Sequence, residues 1–148
     1  MRRHGSAKPL VERLGLTALK FDPWQYRTHT MTDPLAICRS TRFPVEVLEL
    51  NGPLTAANAS VFQNAMRREE PAETLILDFS DVPYMDSAGL GLLVTAYVSR
   101  QKSGRKMVLS GINRRVQKLF EVTRTSSLFL IFSSPEEAVA ALSSAGHA

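Results

Sequence analysis

Ser87 is the residue around which chemistry could be organised. It lies in Tyr84-Met85-Asp86-Ser87-Ala88-Gly89-Leu90-Gly91, between an apolar run with the pattern of a strand and a segment with helical apolar spacing. A hydroxyl at a helix start sits beside backbone N–H groups that lack intrahelical acceptors and at the positive end of the helix dipole, so added negative charge is tolerated there. Phosphorylation would bring about −1.5 to −2 charges at pH 7. Gly89 and Gly91 are expected to leave room for a partner or a phosphate against the backbone. The plainer role for Ser87 is an N-cap, whose loss to alanine costs ~1 kcal/mol and nothing else. Asp86 has two readings: it orients the hydroxyl or meets a kinase's metal, or it caps the helix or pairs with a surface base.

Other chemistries fail on residue types. A hydrolase elbow needs Gly-x-Ser-x-Gly, and position 85 is Met. The three histidines, His4, His29 and His147, stand near the two ends of the chain and supply no fixed base for the hydroxyl. Dispersed histidines and the single Cys38 offer no metal-ligand spacing, and no Gly-x-x-x-x-Gly-Lys-(Ser/Thr) loop occurs. The expectation is therefore a non-enzymatic protein without cofactor, metal or tightly held nucleotide. One cysteine and the lack of a secretory pattern place it in a reducing compartment, the cytoplasm. The longest apolar run, residues 88–98 broken only by Thr95, is shorter than the ~20 residues that cross a bilayer, so no membrane insertion is expected.

The net charge of +4 and pI near 9.6 suggest nucleic acid until the charge is located. Residues 1–30 hold six basic and two acidic residues, and the remaining 12 basic and 12 acidic residues of the chain cancel. A neutral domain lacks the concentrated positive face that a phosphate backbone requires, so direct nucleic-acid binding is not expected. Residues 1–30 read as a mobile basic leader, and Met1 and Met31 are both open as the native start. Residues 31–148 read as one domain with its core at about 44–142.

The elements that must position Ser87 follow from pattern. Residues 45–50 alternate as a half-buried strand, and 35–41 can pair with them across a short turn. Thr55 is expected to cap a helix running to about residue 68, with Ala57, Val61, Ala65 and Met66 inward; a capping role is favoured over partner contact. Residues 74–79 are nearly all apolar, as in a central strand covered on both faces. The Ser87 helix should run to about residue 102 with Leu90, Leu93, Val94, Tyr97 and Val98 inward, and Gly104 should close it. A strand at 106–110 follows, then a helix capped by Asn113 with Val116, Leu119 and Phe120 inward. Arg114, Arg115 and Lys118 form its basic outer edge, which is a solvated face or a contact for an acidic partner. A strand at 128–132 and a helix opened by a capping box at Ser134, Pro135 and Glu137 complete the order. The fold class is α/β, a single mixed sheet of four to five strands packed with about four helices.

Asp86-Ser87-Ala88-Gly89-Leu90-Gly91 resembles the signature of STAS domains of anti-sigma factor antagonists, Asp-Ser-(Ser/Thr/Ala)-Gly-Leu-Gly. Leu77-Asp78-Phe79-Ser80 before it, and residues 116–123 after it, sit where that family has its central strand and its Val…Lys-Leu-Phe helix. The resemblance implies the STAS fold, with Ser87 as the phosphate acceptor and Asp86, Ala88, Gly89, Leu90 and Thr55 as partner-binding or supporting residues. It further implies that the unphosphorylated protein binds an anti-sigma factor serine kinase and frees a sigma factor, and that a PP2C-type phosphatase reverses the modification. One departure stands out: where the family often has Gly-Glu-Leu-Asp before the first helix, this chain has Gly52-Pro53-Leu54-Thr55. A non-phosphorylated STAS scaffold, in a stress-sensing assembly or a lipid or anion transporter complex, is the alternative. The oligomeric state is open.

Overall fold

The computed structural model describes residues 33–42, 44–68 and 71–145. The expected leader and both candidate starts lie outside these residues. Five strands form one sheet in sequence order: β1 (Ala36–Arg42), β2 (Val45–Asn51), β3 (Thr74–Asp81), β4 (Lys106–Ser110) and β5 (Ile131–Phe132). The β1–β2 pair is antiparallel and the other pairs are parallel, so the sheet is mixed, with β3 at its centre. Four α-helices accompany it: α1 (Ala59–Met66), α2 (Ser87–Lys102), α3 (Arg114–Thr123) and α4 (Pro135–Ala145).

Alternation along the strands sorts the core into two layers. Leu48 and Leu50 of β2, Leu75, Leu77 and Phe79 of β3, and Met107 and Leu109 of β4 meet Phe62 of α1, Leu90 and Leu93 of α2, and Val116 and Phe120 of α3. The opposite face, with Ile76 and Val108, is covered by Ala138 of α4. β3 therefore buries side chains of both parities, which is why its sequence is nearly all apolar.

Several sequence expectations are corrected by packing. The first helix begins with a 3-10 turn, Ala56–Asn58, and its inward stripe keeps Ala65 and Met66, both half-buried against the core, but Phe62 is buried whereas Ala57 and Val61 are exposed. A phenylalanine removes far more apolar surface from water than alanine or valine, so it takes the core position. In α2 the small Ala96 turns inward and Val98 outward. The last strand is only Ile131–Phe132, because Ser126–Leu128 forms a 3-10 turn and Phe129 leaves the strand path to pack on Tyr97 and Phe120, with ring centroids 5.4 and 5.3 Å away. At α4, the Ser134 hydroxyl accepts the Glu137 N–H at 3.1 Å as expected. The Glu137 carboxylate, however, accepts from Ser133 N–H and Oγ–H instead of closing the box on Ser134.

Candidate functional site

The carboxyl ends of β3 and β4 feed α2 and α3, so both helix starts lie at one edge of the sheet. Ser87 is the first residue of α2 and is exposed. The cap is Asp86: its extended backbone lets Oδ1 accept the Gly89 N–H at 2.7 Å. Of the readings open for Asp86, capping is the one with a hydrogen bond behind it, and Ser87 is left free of that duty.

Asp86 has a second attachment. Its Oδ2 accepts the Ala56 N–H at 3.2 Å, and its own N–H donates to the Leu54 carbonyl at 3.3 Å. Leu54 in turn donates its N–H to the Tyr84 carbonyl at 3.2 Å and forms an isolated bridge with Met85. The turn before α1 and the loop before Ser87 are thus strapped together through one carboxylate and a short run of backbone.

Gly89 lies under this strap. It is buried, and a Cβ there would collide with the Leu54 carbonyl. The space expected for a partner at Gly89 is therefore filled by the protein's own backbone. Gly91 differs, being exposed with nothing near the position of a Cβ. Ala88 is exposed and Leu90 is 7% exposed in the core, so Ala88 can meet another molecule and Leu90 anchors the helix. Thr55, expected as a cap, precedes the 3-10 turn, makes no side-chain capping bond and is fully buried.

The other side of the Ser87 loop is held by Asn113. Its Oδ1 caps α3 through the Val116 N–H at 2.8 Å, and its Nδ2 donates to the carbonyls of Val82 and Pro83 at 3.1 Å each. Arg115 places its guanidinium 4.9 Å from the centre of the Tyr84 ring, a cation–π distance. Burial pushes the Tyr84 phenol above its ordinary range, with Asp33 and Asp86 adding to the shift and Arg115 opposing it. Sequence pattern identifies Asn113 as a cap; its reach across some thirty residues has no local signal. Tyr84 and Arg115 likewise meet only through the fold.

On the α4 side of the same edge, Asp78 Oδ1 accepts from Ser80 N–H, Ser80 Oγ–H and Ser110 Oγ–H at 3.2, 2.7 and 3.3 Å. This satisfies a largely buried carboxylate and ties β3 to β4. Partial desolvation, with Asp78 close by, raises the Asp81 carboxyl above its ordinary value. Among the described residues no His/Cys/Asp/Glu cluster could hold a metal, and no helix is long and apolar enough to cross a membrane.

A family model described as the STAS domain matches residues 41–138. The sequence is 34% identical over 82 residues, 54% of this chain and 72% of the relative, to an anti-sigma-B factor antagonist of Listeria monocytogenes. The STAS domain of a SulP transporter from Vibrio cholerae has a TM-score of 0.61 at 29% identity, covering 74% of this chain and 89% of that one. An anti-sigma factor antagonist from Mycobacterium paratuberculosis, 17% identical, has a TM-score of 0.67 over 77% of this chain and 97% of its own, and shares the fold.

Proposed function

This chain belongs to the STAS domain family, and from that premise we propose that it is an anti-sigma factor antagonist switched by phosphorylation of Ser87. In the unphosphorylated form it docks on an anti-sigma factor serine kinase, and the kinase lets go of its sigma factor. The kinase then transfers the γ-phosphoryl of ATP to Ser87: the Oγ–P bond forms, the bond to ADP breaks, and the hydroxyl proton passes to a base on the kinase. A PP2C-type phosphatase returns the serine by hydrolysis.

The observation that carries the proposal is the division of labour between neighbours. Asp86 does the capping, so the Ser87 hydroxyl is exposed and uncommitted at a helix start whose N–H groups favour an anion. Around it, exposed Ala88, Gly91, Ala56 and Ala57 offer a low surface against which a kinase can close, and Arg115 on the neighbouring helix supplies positive charge for an acidic partner face. Buried Thr55, Gly89 and Leu90 support that surface from beneath. Phosphate on Ser87 would add bulk and charge at the contact while the fold persists, because the helix start tolerates the anion. The similarity to the Listeria antagonist supports the same role.

A second reading is favoured by the 29% identity with the SulP transporter STAS domain: a module that docks without being phosphorylated. The two are separated by a pull-down of the candidate kinase with wild type, Ser87→Ala and Ser87→Asp, together with intact mass and peptide mapping after incubation with ATP. The switch predicts retention by the first two, loss by the third, and one phosphate on Ser87. Equal behaviour of all three baits, or phosphate on another residue, would refute it.

A further inference from the structure

The opposite edge of the sheet carries a feature that the Ser87 surface does not use. Between the C-terminal ends of α1 and α2 and the start of β4 opens a cleft of about 480 Å3, lined by Arg67, Arg68, Arg100 and Arg105 with Ser99 and Ser103 among them. Four guanidiniums around one opening repel each other unless something negative compensates them.

Helix ends provide part of the compensation, since cations are favoured near a C-terminus. At α2 that need is already met by backbone. Ser103 N–H donates to the Ser99 and Arg100 carbonyls, Gly104 N–H to Gln101, and Arg105 N–H to Arg100, at 2.9 to 3.3 Å. Among the described residues carboxylates are scarce as well. Glu46 is buried and shared, pairing with Arg39 at 2.7 Å and with Arg68 at 3.2 Å. Among the described residues the Arg67 side chain reaches the Asn64 amide oxygen at 3.4 Å and no carboxylate, and Arg105 has no carboxylate within ion-pair distance. Glu69 and Glu70 follow Arg68 in the sequence and lie outside the described residues.

Arg100 forms the fixed part of the cleft. Its Nε–H donates to the Lys106 carbonyl at 3.0 Å and a terminal N–H to the Ala72 carbonyl at 2.6 Å, so its plane is set before any ligand arrives. Burial and the neighbouring Arg105 both lower its proton affinity, and Glu46 opposes them. A bound anion would relieve that repulsion, and planar guanidiniums match phosphate oxygens in pairs. The volume falls within the usual range for small-ligand sites, about 300 to 1,000 Å3.

We infer that this arginine cleft is a binding site for a small soluble polyanion bearing linked phosphates, with Arg67 and Arg105 as its ligands and Arg100 as its floor. The site is independent of the Ser87 reading, lying where β3 and β4 begin, whereas Ser87 follows the end of β3.

The test is titration of the full chain with inorganic triphosphate, followed by amide NMR and calorimetry, so that the charges of Glu69 and Glu70 oppose binding in every measurement. Saturable shifts confined to residues 66–72 and 99–106 are expected, with Ser87→Ala binding like wild type. Arg67→Gln/Arg105→Gln should weaken binding by about tenfold or more, since both substitutions remove charge-assisted hydrogen bonds to phosphate oxygens, while the thermal midpoint stays in place. Should the double variant melt early, Arg105→Gln alone carries the same expectation. Absence of saturable binding at millimolar triphosphate, unchanged affinity in the variants, or shifts centred on Ser87 would overturn the inference. So would binding seen only with vesicles of phosphatidylcholine and phosphatidic acid, which would assign the arginines to a lipid surface.

Discussion

Gly89 and Gly91 lie two residues apart in α2, and the same substitution should move stability in opposite directions at the two. In Gly91→Ala the new methyl meets nothing within 4 Å. Helix propensity and the smaller entropy of the unfolded chain then act alone, and the variant should be about 1 kcal/mol more stable. In Gly89→Ala the same gain is offset by collision with the Leu54 carbonyl, a backbone atom that cannot rotate away. Relief requires the 54–56 turn to move, which stretches the Asp86 N–H bond to Leu54 and the Ala56 N–H bond to Asp86. Overpacking costs roughly 1–3 kcal/mol, and weakening two hydrogen bonds costs about 1 kcal/mol each. The net expectation is a loss of about 2–4 kcal/mol. Urea unfolding curves of the three proteins provide the comparison, and thermal midpoints should separate in the same sense by about 4–8 °C per kcal/mol. If Gly89→Ala is as stable as wild type, the strap across Gly89 does not exist as described; if Gly91→Ala is also destabilised, the difference between the two sites fails.

Two further outcomes test the supports of the Ser87 loop and the acidic edge beside it. Asn113→Ala removes the α3 cap and the two donors to Val82 and Pro83; it should cost about 2–3 kcal/mol and speed amide exchange across residues 82–90, and a loss confined to α3 would disprove the bridging role. Asp81→Asn concerns pH. The carboxyl is raised above its ordinary value of 3.8 by desolvation and then by Asp78, so the folded state holds that proton more tightly than the unfolded chain. This contribution to stability is present below 3.8 and is lost as pH rises through the folded value. The amide variant should therefore be at least as stable as wild type at pH 7, with its relative advantage gone at pH 3. Urea midpoints at the two pH values measure this, and a clear loss at pH 7 would contradict it.

Local sequence determined those features whose physics is complete within a few residues. The continuous apolar run of β3 announced a strand covered on both faces, Asn113 and Ser134 announced their caps, and Gly104, at φ 76°, announced the end of α2. Ser87 was legible as a helix-start hydroxyl for the same reason, since its neighbours in the chain are what make that environment. Tertiary structure decided whatever depends on a partner distant in sequence. Phe62 displaced Val61 from the core because the bulkier apolar group gains more from burial, and Phe129 shortened β5 to join two rings on other helices. Asp86 became a strap as well as a cap because β2 and β3 run parallel and bring the turn after one beside the loop after the other. Gly89 was filled by Leu54 for the same reason, and the arginines just after α1, in the last turn of α2 and just before β4 share one cleft only because three chain segments meet at the amino edge of the sheet. Caps and periodicity act over three or four residues, whereas these contacts are set by strand order, and strand order is fixed only when the whole core packs.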